Sequence, residues 1–307
     1  MRLLVNDGGA APPRLRLDLA LGTLWGLPEF SAGPVGLDEA GQFEAIRAAG
    51  YEGVQSILPL DMQAVRAAGL ASTGAAMLPT AERLETIARA HQAAGLQATT
   101  VMLGTGLEND AEALRLAERL LEVQARVGHP LLLETHRRTI TQDIRRTVDL
   151  VAALPELRFT GDFSHWFVAY DLGSGDFDAV MTLIGPVLSR VRLIHGRIGD
   201  GGAVQVSPAG REDQAFVGRF RRIWQACCEG FREEAGPGDV LVFAPELLPA
   251  EIVFGDQLYR MNYARQVRGS DGQWREESDR WTDALLLCAM AREAFADERQ
   301  LPTPTSA

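Results

Sequence analysis

Eight short apolar runs recur along the chain, and most are followed by a stretch in which apolar residues return every three or four positions. A strand buried on both faces reads as a continuous apolar run, and a helix covering it carries one apolar stripe, so the alternation predicts repeated strand–helix units and a parallel sheet. The predicted strands are 15–21, 53–58, 70–77, 98–103, 131–134, 158–162, 191–195 and 240–244. Predicted helices include 38–49, 80–94, 110–127, 141–154, 178–189 and 214–235, with a last one over 278–298.

Helix-start chemistry fits these bounds. Thr80, Asp110 and Thr141 each carry a side-chain oxygen able to satisfy free amides of a first turn. Gly50, Gly95 and Gly128 follow apolar-periodic stretches, where glycine stops a helix in the left-handed conformation. The Pro/Thr-rich residues 301–307 read as a flexible C-terminal tail, leaving 1–300 as a single domain. An open doubly wound sheet has the same local periodicity, but no Gly-rich dinucleotide fingerprint follows the first strand.

The strand ends favour closure. Four runs finish on potential metal ligands: Glu134 after Leu131-Leu132-Leu133, Asp162 after Phe159-Thr160-Gly161, His195 after Val191-Arg192-Leu193-Ile194, and Glu246 after Val240-Leu241-Val242-Phe243-Ala244-Pro245. An open sheet would spread them along an edge, whereas a closed (β/α)8 barrel brings the carboxyl ends of its strands to one mouth. Three carboxylates and an imidazole without thiolates suit one divalent ion, Mn2+, Co2+, Zn2+ or Mg2+. Any one of these carboxylates alone reads more readily as an ordinary cap or loop residue; their shared position after apolar strands carries the expectation.

Composition narrows the function classes. The chain has 307 residues, 46% of them hydrophobic, which is enough for one large core. A net charge of -11, from 41 acidic and 30 basic residues, opposes long-range attraction to nucleic acid. All basic residues other than histidine are arginines, so Schiff-base chemistry on a lysine amine is excluded. Three cysteines, Cys227, Cys228 and Cys288, make neither a disulfide framework nor a zinc knuckle. No signal peptide or membrane-length apolar run is present, and a soluble cytoplasmic protein is expected, with room for a homo-oligomer.

The chain resembles the xylose isomerase-like TIM-barrel superfamily of sugar isomerases and epimerases, including D-tagatose 3-epimerase-like and hydroxypyruvate isomerase-like enzymes. The resemblance rests on the segment from Phe43 to Val54 and on the ordered series Glu134, Asp162-Phe163-Ser164-His165, His195-Gly196-Arg197 and Glu246. It implies one divalent cation held by Glu134, Asp162, His195 and Glu246, with His165 and Arg197 facing substrate oxygens. It further implies a small polyhydroxy carbonyl substrate, deprotonated beside its carbonyl to an enediolate, with Glu134 and Glu246 as base and acid. Gln55 stands where many relatives carry glutamate, which implies an altered substrate contact, and residues 199–208 read as a long flexible loop.

Each supporting residue has a plainer alternative. His165 either contacts substrate or caps the strand–loop junction; Arg197 either neutralises a developing oxyanion or orients a carboxylate through a salt bridge. His136 shares the face of Glu134 if the strand continues, while a loop there would release it and Arg137 to solvent. Trp25 and Trp166 either wall the sugar or pack between barrel and helices. Competing functions are an inosose dehydratase-like elimination, a non-catalytic sugar-binding barrel and phosphodiester hydrolysis. The last needs more histidines than the five present.

Overall fold

A computed structural model describes residues 5–254 and 256–296, and among them eight parallel strands close into a barrel in strictly sequential order. The strands are β1 (Arg14–Ala20), β2 (Gly53–Ser56), β3 (Ala71–Leu78), β4 (Thr99–Leu103), β5 (Leu131–Glu134), β6 (Phe159–Gly161), β7 (Val191–Gly196) and β8 (Val240–Pro245). Closure is made by β1 pairing with β8, Arg14 opposite Val240 and Leu17 opposite Phe243. The expected (β/α)8 barrel is therefore the observed one, and the eight expected strands match within a few residues. Among the described residues no helix is long and apolar enough to cross a membrane.

The outer layer contains α1 (Glu39–Ala48), α2 (Met62–Ala67), α3 (Leu84–Ala94), α4 (Asp110–Val127), α5 (Ile144–Ala153), α6 (Ser164–Ala169), α7 (Phe177–Leu188), α8 (Ala215–Glu234) and α9 (Arg280–Ala296). Gly50, Gly95 and Gly128 all take positive φ directly after their helices, as expected. Three helix starts differ from expectation. Helix α3 begins four residues after Thr80, and its cap position, Arg83, makes no side-chain cap. Asn109 rather than Asp110 caps α4, in a reciprocal box with Glu112, and Asp143 rather than Thr141 caps α5. Thr141 instead spends its hydroxyl on the Glu134 carbonyl, bracing the turn after β5.

Two features escaped the pattern reading. Helices α2 and α6 are six residues each, too short for periodicity to register. Between β8 and α9 the chain makes two antiparallel hairpins, β9 (Glu251–Phe254) with β10 (Gln257–Arg260), and β11 (Gln266–Arg268) with β12 (Trp274–Glu276). Their strands are only three or four residues long, and β10, β11 and β12 are largely exposed, so they give little strand signal. The 199–208 loop also differs from expectation. Its second half is buried through Val204, Gln205, Val206 and Ser207, with Val206 N–H donating to the Ile198 carbonyl at 2.9 Å. The expected tail at 301–307 lies outside the described residues.

Inside the barrel, alternate residues climb each strand toward the carboxyl-end mouth. Leu132 leads to Glu134, Leu193 to His195, and Val240, Val242 and Ala244 to Glu246. The apolar members of these series, with Val5 and Ala98, form a buried cluster of their own. Arg16 and Asp18, both buried in β1, pair through two 2.8 Å bonds, and Arg16 also reaches Gln97. All three cysteines are buried and unpaired.

Away from the mouth, Thr99 joins two imidazoles: its hydroxyl lies 2.7 Å from His91 Nδ1 and 2.8 Å from His129 Nε2. Gly74 makes room for this chain, because a Cβ there would meet His91 Nδ1 at 2.5 Å. One hydroxyl can donate to only one of the two rings, so the other ring must donate to it. Burial, reinforced by the charge His91 would carry, holds His129 down to about 4 from its ordinary 6.5. Unfolding therefore takes up a proton between those values, and the contribution to stability is full above about pH 6.5 and lost as pH falls toward 4. In urea titrations the stability drop between pH 7 and pH 4.5 should be smaller in His129→Gln than in the parent; an equal drop would contradict this origin.

Candidate metal centre

Glu134 ends β5, Asp162 follows β6, His195 lies in β7 and Glu246 follows β8. One ligand atom from each of the four lies within 4.8 Å of the others. The constellation expected from strand-end spacing is thus assembled, and its parts come from four consecutive strands because inward positions of parallel strands converge at one end.

The donors are held by a shell of defined bonds. His195 Nε2 faces Gln55 Oε1 at 2.6 Å, which fixes that nitrogen as the donor and turns Nδ1 toward the acids. Nδ1 lies 3.2 Å from Glu134 Oε1 and 3.5 Å from Glu246 Oε2. Gln55 is itself fixed, its amide donating to Thr100 Oγ1 at 3.1 Å, and Thr100 is bonded to Thr160 across the interior at 2.7 Å. Ser164 donates to Asp162 Oδ1 from both backbone and hydroxyl, at 3.1 and 2.6 Å. Position 55, expected as an altered substrate contact, orients the histidine instead.

Arg197 is 1% exposed and sits within the acids. It donates to the Glu246 carbonyl at 2.8 Å, pairs with the Glu246 carboxylate, and brings Nη1 to 3.4 Å from Asp162 Oδ2. This is the salt-bridge alternative weighed from the sequence. Burial opposes ionisation of Asp162, yet the positive charge facing it, Arg197 foremost, outweighs burial and holds that carboxyl below its ordinary range. At Glu246 burial prevails, helped by Glu134 and Asp162 and opposed by His195 and Arg197, and the carboxyl is pushed up. Burial would lower His195, but Glu246, Glu134 and Asp162 raise it to about 9.

The donor set fits a hard divalent cation. Glu134 Oε2 and Asp162 Oδ2 are buried without a hydrogen-bond partner, an expensive state for carboxylate oxygens that a cation relieves. The raised His195 shows how strongly the acids attract positive charge. Oxygen donors with one imidazole and no thiolate suit such an ion.

No protein-family model and no curated protein matches the sequence. Solved structures do match. A structure of the IOLI protein with a zinc atom bound superposes with a TM-score of 0.54 at 9% identity, covering 94% of this chain and 100% of that one. A D-tagatose 3-epimerase-like protein gives 0.53 at 10%, covering 92% and 97%. A xylose isomerase-like TIM-barrel protein from Mycobacterium smegmatis, in complex with magnesium, gives 0.50 at 12%, covering 94% and 98%. The chain has the fold of the xylose isomerase-like TIM barrels. At these identities the likeness shows the fold alone.

The remaining expected residues separate. His165 lies beside the quartet, Nε2 at 3.4 Å from Asp162 Oδ2, with neither ring nitrogen hydrogen-bonded. Burial foremost, against the pull of Asp162, holds it well below its ordinary value, so the ring is neutral. His136 is buried with its ring centre 4.1 Å from that of His165 and its Nδ1 against the Arg137 carbonyl. Trp166 is 1% exposed, donates to the Thr141 carbonyl at 2.9 Å and packs on Phe163, so it is a core residue and presents no wall to a ligand. Trp25 faces a different cavity, between the ends of β1 and β2, whose lining includes no member of the quartet.

Sequence reading missed Tyr263, which arrives from the segment between the two hairpins. Its ring centre lies 4.5 Å from the Arg197 guanidinium carbon, 4.9 Å from that of Arg137 and 6.2 Å from the His165 ring. A lone tyrosine in a polar insertion carries no periodic signal that could have marked it.

Because Gln55 fixes the His195 ring, its loss should weaken metal capture without unfolding the barrel. We expect Gln55→Met to raise the Mn2+ dissociation constant roughly 10- to 100-fold in calorimetric titration, with an unchanged circular dichroism spectrum. Parent-like affinity would show that the bond to His195 does not matter for capture.

Proposed function

We propose that this protein is a divalent-metal-dependent isomerase or epimerase of a small sugar, ketose or sugar acid. The observation that carries the reading is the convergence of Glu134, Asp162, His195 and Glu246 at the barrel mouth with two carboxylate oxygens buried and without a hydrogen bond. The fold shared with a D-tagatose 3-epimerase-like protein, and the zinc and magnesium in two other barrels of this fold, support it.

Glu134, Asp162, His195 and Glu246 would hold the ion, which when bound supplies Lewis acidity to a carbonyl and its neighbouring hydroxyl. The chain's own residues handle the proton. Glu134 and Glu246 face one another around His195, each with an oxygen within 3.5 Å of Nδ1. One removes the proton from carbon beside the carbonyl, and the other returns a proton to the second face or the neighbouring carbon of the enediolate. Asp162, held low by Arg197, stays ionised and takes no part in the proton transfer. Arg197 holds Glu246 at backbone and carboxylate, fixing the direction in which it presents its proton. His165, neutral and with both nitrogens free of hydrogen bonds, is placed to orient a substrate hydroxyl.

Proton exchange followed by NMR in heavy water, against ketoses, inososes and sugar acids, tests the deprotonation directly. Glu134→Gln and Glu246→Gln should each slow exchange by roughly 10²–10⁴-fold, since an amide accepts no proton. His195→Ala should lose metal first, read by metal analysis after dialysis. Exchange at the parent rate in all three variants would refute the assigned roles.

A further inference from the structure

Next to the quartet lies a cavity of about 360 Å³ lined by Arg137, Gln142, Asp143, His165, Ala169 and Tyr170. Most of its polar groups are already committed. Gln142 donates to the Gly106 carbonyl at 2.6 Å and accepts from Arg138 N–H at 3.1 Å. Asp143 accepts from Arg146 N–H at 2.7 Å and from the Tyr170 hydroxyl at 2.9 Å. Two groups are not committed. Among the described residues the Arg137 guanidinium has no carboxylate or carbonyl partner, only the Tyr263 ring 4.9 Å away. His165, 4% exposed, lines the cavity with both ring nitrogens free of hydrogen bonds while its Nε2 lies 3.4 Å from Asp162.

The turn that displays Arg137 is rigidly made. Thr139 donates to the His136 carbonyl at 2.7 Å, and the His136 N–H donates to Thr141 at 3.2 Å. Arg138 takes φ +58°, a conformation unfavourable for a side-chain-bearing residue. Tyr263, touching both Arg137 and Arg197, ties the cavity wall to the quartet.

We propose that this cavity is the subsite for a carboxylate on the substrate, bound by Arg137 at one end while His165 hydrogen-bonds a hydroxyl between that end and the reacting carbons. The inference rests on the deprotonation reading above, and it narrows the substrate to a polyhydroxy carbonyl acid. A planar guanidinium presents paired donors that match a carboxylate. Phosphate fits less well: the cavity offers a single free cation, the chain has no lysine to add another, and the charge of Asp143 repels a dianion. Asp143 also caps α5, so that helix N-terminus is already spent.

Calorimetric titration of the full metal-loaded protein with D-gluconate, D-glucitol and D-glucitol 1-phosphate tests the assignment, because the three share a polyol skeleton and differ in the group at C1. Gluconate should bind roughly tenfold or more tighter than glucitol, and tighter than the phosphate ester. Arg137→Gln should bring gluconate to within about threefold of glucitol, while Arg138→Gln, removing a neighbouring charge, should keep the preference. Equal binding of gluconate and glucitol, tighter binding of the phosphate ester, or a preference that survives Arg137→Gln would overturn it. Proton exchange on neutral ketoses without any carboxylate preference would overturn the subsite and leave the deprotonation reading standing. A carboxylate preference lost in Arg137→Gln, with no exchange on any compound, would support the subsite and overturn that reading.

Discussion

Three carboxylates held close to one another repel, and the burial of Glu134 and Asp162, with Glu246 half-buried beside them, strengthens the repulsion because little water screens it. Much of the mouth can be understood as a response to this strain. Arg197, just past β7, faces two of the acids, the His195 imidazole is driven toward its charged form, and two oxygens are still left without a hydrogen bond. A protein seeking only stability would replace such a cluster with apolar side chains. Its presence at the carboxyl ends of four adjacent strands is the feature on which the proposed metal centre rests.

The neighbouring polar groups serve that cluster at one remove. Gln55, Thr100 and Thr160 cross the barrel interior from β2 to β4 to β6 and end on the far nitrogen of His195. Each link comes from a different strand, so the imidazole is oriented by the barrel as a whole. Two linked demands, closure of the sheet and presentation of one ring nitrogen, are met by the same side chains.

How much of this was legible from residues depends on whether the signal is periodic. Strands buried on both faces are apolar throughout, so β4, β5, β7 and β8 were plain, and with them the ligands at their ends. Caps were less legible because neighbouring polar residues compete: Asn109 and Asp110 both carry suitable oxygens, and only backbone geometry chooses. Arg197 was read as either an oxyanion partner or a salt bridge, and alternation along β7 correctly put it on the same side as His195 without saying which acid it would meet. Trp166 was left between sugar wall and core packing because position after a strand says nothing about depth. Tyr263 was invisible, since it reaches the mouth from an exposed insertion whose placement depends on tertiary contacts alone.

In the barrel's inner column the Arg16–Asp18 pair stands among apolar neighbours, Arg16 opposite Val242, with Leu132 and Leu193 two positions before Glu134 and His195 on their own strands. An apolar, water-poor interior screens charge weakly, so it is the pairing of Arg16 with Asp18, and not the grease around it, that keeps the lower end from imposing a net charge on the rim. Loss of either partner alone would be felt by the acids above, and durability and reactivity are coupled through that pair.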